Sequence, residues 1–186
     1  DTLILWNSSG ALLSVISPQD AAFETASYAP DSTRFLSLSR SSTFVWLWDK
    51  NGNFIAKLQH TGPIQGAVFS YDGSRILTWS KDKTARLWTS EGTLIAVLEN
   101  DEYVLAGAFS HDGAHIVTAT VHTLSLWNKD GTRQESLKPH EYEVMIGAVF
   151  SPDDARILVK SYNNSASVWD LKGALVATLT HHTDEL

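Results

Sequence analysis

The sequence predicts an all-β chain of repeated four-stranded sheets set side by side around an axis. Three observations carry that prediction. Five tryptophans, Trp6, Trp48, Trp88, Trp127 and Trp169, recur at separations of 42, 40, 39 and 42 residues. Each is followed four residues later by a glycine: Gly10, Gly52, Gly92, Gly131 and Gly173. One turn also recurs almost unchanged, as YAPDSTRF from Tyr28, FSYDGSRI from Phe69, FSHDGAHI from Phe109 and FSPDDARI from Phe150. From its leading aromatic to the next tryptophan the gaps are 20, 19, 18 and 19 residues, so turn and tryptophan keep a common phase. A period of about 40 residues filled with short strands is the pattern of a radially repeated sheet, one blade per repeat.

Taken in order, residues 1–16 hold two strand-like runs, Thr2–Trp6 and Ala11–Ile16, joined by NSSG. Asn and Gly tolerate positive φ and suit a tight hairpin. Aligned on Trp6, these runs are the third and fourth strands of a blade, an outer half-blade. Four complete blades follow, at about 22–58, 63–98, 103–137 and 144–179, the third opening with a strand over 103–109. In the recurring turn, the carboxylates Asp31, Asp72, Asp112 and Asp153 are placed to accept from the backbone N–H groups just after them. Recurrence in phase marks them as turn formers and not as an acid/base pair. Residues 180–186 match the opening of a further repeat, like LQHTGPI near His60.

The run aromatic-Ser-x-Asp-Gly, an apolar strand, then KDKTARLW over Lys81–Trp88, resembles the WD-repeat β-propeller family. Trp48-Asp49 and Trp169-Asp170 supply that family's Trp-Asp dipeptide. The resemblance covers essentially the whole chain. It implies a β-propeller of WD-repeat type, with four-stranded antiparallel blades, four complete plus the outer half-blade. It also implies a bracing tetrad of His, Ser/Thr, Asp and Trp. Only the second repeat has every member: His60, Thr78 or Ser80, Asp82 and Trp88. In the first repeat Ser42 stands where Asp is expected. The third has Val121 or His122 there and Asn100-Asp101 in place of His, and the fourth has His140 with Asn163 for Asp. The in-phase tryptophans are expected as core between blades. Trp46 and Trp79 fall outside the phase, and Trp79 is read as an exposed anchor.

Composition narrows the function. Net charge is −7, against the basic stripe that nucleic acid or an anionic membrane requires, and it leaves room for a basic partner. There is no cysteine, which excludes disulfides and thiolate metal sites. No apolar run is long enough to span a bilayer, and DTLILWNSSG lacks the basic region and cleavage site of a secretion signal. A cytoplasmic location is therefore expected. His181-His182 and His111 with His115 lack the further ligands a metal needs, so no metal or cofactor is expected. No nucleophile elbow or phosphate loop stands out, and an enzyme is not expected.

In a four-stranded meander the loops entering the first strand and those joining the second to the third lie at one end. In the family this resembles, that end is commonly the binding face. Here it would present Arg40, Trp79, Lys81, Glu102, Tyr103, Glu141, Tyr142 and Tyr162, with Glu99, Asp101 and Glu143 nearby. Tyrosines among carboxylates suit a protein or peptide, a basic one above all. The expected function is a non-catalytic protein-interaction scaffold, the docking or sensing part of a larger protein. The alternative is a small-molecule or glycan-binding propeller. Met145 is the only methionine, and the sequence reads as a segment of a longer propeller. Unpaired blade edges would favour self-association.

Overall fold

The computed structural model describes residues 2–17, 23–39, 41–137, 144–162 and 165–179. All regular structure among them is β. A two-stranded sheet, β1 (Leu3–Trp6) and β2 (Leu12–Ile16), comes first. Four meandering antiparallel sheets follow. The first blade is β3 (Thr25–Tyr28), β4 (Arg34–Leu38), β5 (Phe44–Asp49) and β6 (Phe54–Gln59). The second is β7 (Ile64–Phe69), β8 (Arg75–Ser80), β9 (Thr84–Thr89) and β10 (Leu94–Glu99). The third is β11 (Ala106–Phe109), β12 (His115–Ala119), β13 (Leu124–Asn128) and β14 (Arg133–Leu137). The fourth is β15 (Met145–Phe150), β16 (Arg156–Ser161), β17 (Ala166–Asp170) and β18 (Leu175–Leu179). This is the blade architecture of a β-propeller.

The turns follow their chemistry. Asp31 Oδ1 accepts from the N–H of Thr33 at 2.9 Å, Asp72 from Ser74 at 3.0 Å, Asp112 from Ala114 at 2.8 Å and Asp153 from Ala155 at 3.1 Å. The residue after each carboxylate has positive φ: Ser32 at 58°, Gly73 at 71°, Gly113 at 68° and Asp154 at 54°. The third and fourth strands join through the in-phase glycines, whose φ lies between 79° at Gly10 and 88° at Gly131. In all five sheets the register slips by one residue beside the tryptophan, a bulge that lets a short turn with positive φ close the hairpin.

The core lies between sheets, as alternating faces require. Trp88 packs in one cluster with Leu36, Leu47 and Leu58 of the first blade. Trp127 joins Leu77, Leu87 and Leu98 of the second. Trp169 joins Val117 and Leu126 of the third, with Leu137 against it. Trp48 joins Leu5 and Ile16 of the two-stranded sheet. Each blade thus inserts its tryptophan into a leucine-rich socket on the blade before it. Trp6 departs from the expectation of a core residue: it is 57% exposed, and none of the described blades supplies a socket for it.

A hydrogen bond between blades recurs as well. The N–H of Ile64 donates to Ser42 O at 2.8 Å, Val104 to Ser80 O at 3.1 Å and Met145 to Val121 O at 3.1 Å. The entry to the first strand of the second, third and fourth blades is thereby tied to the second-to-third-strand turn of the blade before, at one end of the molecule. β11 starts at Ala106 and not at 103, although the Leu105 N–H already donates to Ala119 O at 2.8 Å.

Candidate functional site

The loop end rests on polar braces under each blade. In the second blade Trp88 Nε1 donates to Thr78 Oγ1 at 2.9 Å, and Thr78 Oγ1 lies 2.7 Å from His60 Nε2. His60 Nδ1 lies 2.9 Å from Asp82 Oδ2, which also accepts from the N–H of Thr61 at 2.9 Å. Asp82 Oδ1 takes the Thr84 N–H at 2.9 Å and the Thr84 hydroxyl at 2.7 Å. Ser80 stands outside this chain, its hydroxyl donating to the carbonyls of Gly62 and Pro63, both at 2.9 Å. Burial raises the Asp82 carboxyl pKa, but the hydrogen bonds from Thr84 and Thr61 and the His60 charge outweigh it and hold the group strongly acidic. Burial lowers His60, and the opposing pull of Asp82 is too weak to restore it.

The other blades solve the same problem differently. In the third, Trp127 Nε1 donates to Thr118 Oγ1 at 2.9 Å, and the Thr118 hydroxyl donates to Asn100 Oδ1 at 3.0 Å. The carboxylate there comes from the entering loop and the imidazole from the turn. His122 Nδ1 lies 3.0 Å from Glu102 Oε1, and the His122 N–H donates to Glu102 Oε2 at 3.1 Å. These bonds from His122 are first among the causes that lower the Glu102 pKa. In the first blade Trp48 Nε1 donates to Ser37 Oγ at 2.8 Å. In the fourth, Val159 occupies the position of Thr78, and Trp169 Nε1 turns to Ser167 Oγ on its own strand at 2.8 Å.

Above the second and third blades the loop end opens into a cleft of about 300 Å³ lined by Lys83, Asp101, Glu102, Tyr103, Val121 and His122. Tyr103 is 50% exposed on its wall. Asp101 and Lys83 are exposed, and the exposed Lys81 lies in the same turn as Lys83. Lys83 holds a φ of 69°, so this turn is set by its hydrogen bonds and not by a glycine. The Glu102–His122 pair is part of the lining. The arrangement offers a half-exposed aromatic face beside carboxylates, which fits an extended chain carrying a cation.

Of the other expected loop-face residues, Tyr162 is exposed, with its N–H donating to Val144 O at 2.8 Å. Arg40, Glu141 and Tyr142 lie outside the described residues, as do Glu143, His140, Asn163 and 180–186. Trp79 corrects the sequence reading. It is half-buried, not an exposed anchor, and its Nε1 donates to Leu105 O at 3.2 Å. Its ring fills space left by two glycines: a Cβ at Gly66 would lie 2.2 Å from the ring and one at Gly107 3.0 Å. The small residues of β7 and β11 were the available signal.

Trp79 also walls a second, larger cleft of about 460 Å³ between the first strands, with Tyr28, Tyr71, Val68, Phe109 and Val149. At its rim Tyr71 stacks on His111 with centroids 4.2 Å apart, and His111 Nδ1 lies 3.0 Å from Asp154 Oδ1. Sequence reasoning missed the tyrosines Tyr28 and Tyr71, which carry no spacing signal beyond the turn. Among the described residues no group of three or more His, Cys, Asp or Glu side chains is placed to hold a metal ion. No helix among them is long and apolar enough to cross a membrane.

Comparison with known proteins agrees with this geometry. The family model for the WD domain, G-beta repeat, matches residues 52–89, which run from the last hairpin of the first blade through β9. An mRNA export factor from Xenopus tropicalis is 37% identical over 81 residues, 40% of this chain and 22% of that protein. The chain therefore matches about a fifth of the length of that relative. With tryptophan, glycine and Asp-turn recurring in four successive four-stranded blades, the chain has the architecture of a WD-repeat β-propeller, and its residues 52–89 match that family's repeat.

Proposed function

We propose that the chain is a non-catalytic docking module whose loop end, at the cleft between the second and third blades, holds a basic segment of a protein partner. WD repeats generally mediate protein–protein contact, and the fold by itself does not choose the partner. The observation that carries the reading is Tyr103, half-exposed in one cleft with the exposed Asp101 and the Glu102–His122 pair, on a chain of net charge −7. A lysine or arginine would lie against the ring with its charge toward Asp101. Lys81 and Lys83 flank the cleft, favouring a segment of mixed charge over a uniformly basic one.

The small-molecule alternative would use the larger cleft near Trp79. Its walls are mostly Ala, Gly, Val and Phe, which suits an apolar ligand better than a glycan. The test uses an array of Lys- and Arg-containing peptides probed with the full chain. Tyr103→Ala is expected to weaken the bound peptides about tenfold or more and to leave the melting temperature unchanged. Equal binding by wild type and variant would reject the assignment.

A further inference from the structure

The cleft between the second and third blades holds an ion pair of its own, and the pair leaves one carboxylate oxygen contested. Glu102 Oε2 is fixed from two sides, by the His122 N–H at 3.1 Å and the Thr120 hydroxyl at 3.2 Å. Oε1 lies 3.0 Å from His122 Nδ1, its nearest partner among the described residues. The side chains of Glu102 and His122 are 38% and 49% exposed, so a group entering the cleft can reach both. Glu102 is ionised, its pKa lowered first by the bond from His122, so Nδ1 carries the proton of that bond. A second proton enters the ring at Nε2 and adds charge without disturbing it.

The exchange of loops in the third blade creates this situation. In the second blade His60 is 1% exposed and lies beneath the turn, out of reach of a partner. In the third the imidazole comes from the turn itself and lines the cleft. The other charged and titratable side chains lining it, among the described residues, are Asp101, Glu102 and Tyr103 from the loop entering the third blade and Lys83 from the turn of the second. Of these side-chain types, imidazole is the one whose charge ordinarily changes between about pH 5 and pH 8.

We propose that the His122 imidazolium competes with the cation of the docked segment for Glu102 Oε1, so that the cleft holds a basic segment when His122 is neutral and releases it on mild acidification. This rests on the docking reading of the cleft. The sign follows from reciprocity. A cation against Oε1 opposes a second proton on His122, so that proton weakens the cation equally, and affinity rises with pH. Glu102 keeps its place throughout, because the backbone N–H and the Thr120 hydroxyl hold Oε2 whatever charge the ring carries.

The test measures binding of the tightest array peptide without histidine to the full chain at about pH 8 and about pH 5.5, with melting curves showing the chain folded at both. Wild type is expected to bind about fivefold tighter at the higher pH. His122→Gln keeps an N–H for Oε1 but never carries charge, so its ratio of affinities at the two pH values should fall to about one. His122→Asn serves in its place should His122→Gln melt early. A wild type with equal affinity at both pH values, or a His122 variant that keeps the wild-type ratio, overturns the proposal. Tyr103→Ala at about pH 8 separates that failure from failure of the docking reading. If this variant binds as wild type does, or if no peptide of the array binds, the docking reading falls and the regulation with it.

Discussion

Trp88→Ala is expected to cost about 3–5 kcal/mol, whereas Trp6→Ala at low protein concentration should cost within about 0.5 kcal/mol. The two residues hold the same place in their repeats. Trp88 is 5% exposed in the socket of the first blade, and its Nε1 donates to Thr78. Its removal leaves a cavity between blades whose walls, Leu36, Leu47 and Leu58, are fixed by strand pairing and cannot collapse inward. Trp6 is 57% exposed and enters no core cluster of the described blades. Urea midpoints of the two variants against wild type measure the difference. Equal losses would mean that the sockets do not hold the blades together.

The second large effect is expected at Asp82. Asp82→Ala should cost about 3 kcal/mol, because it strips a buried carboxylate from His60, the Thr61 N–H and Thr84 together and leaves those donors unpaired. It should also change the pH dependence. The Asp82 pKa is depressed in the folded state, so its stabilisation is full above the unfolded carboxyl value of about 4 and is lost as pH falls below that. The His60 pKa is depressed too, by burial. The unfolded chain therefore gains its proton first, and stability falls as pH drops below about 6.5 toward the folded value. Wild type should thus lose stability in two stages on acidification. In Asp82→Ala the stage below about pH 4 should shrink. The stage below about pH 6.5 should widen, since His60 loses the carboxylate that supports its charge. Denaturation midpoints between neutral pH and pH 3 read both stages, and an unchanged profile would contradict the role given to Asp82.

The blades were legible because periodicity is redundant: tryptophan, glycine and the Asp turn each mark the same repeat, and a substitution in one leaves the others in phase. Details that depend on the neighbouring blade were less legible. Phase tells what socket Trp6 fits but not whether a blade supplies it. Trp79 was placed outside because its own strand shows only position, while Gly66 and Gly107 across the interface decide that its ring packs inward. In the third blade the carboxylate and imidazole have exchanged loops, so matching one position at a time reports loss where Glu102 and His122 still pair. In the fourth, Ser167 serves Trp169 from its own strand, a position the tetrad pattern does not include. Tyr103 was found because aromatic side chains beside acidic loops are visible in sequence. The cleft it lines was not, being formed by two blades.

The most direct test of the docking account is a hydrogen-exchange footprint of the full chain with and without the tightest peptide from the array. The account predicts slowed exchange at 81–83, 101–105 and 120–123, the loops that meet at the cleft. Slowing confined to the opposite rim, around Tyr71 and His111, or no slowing at all, would contradict it.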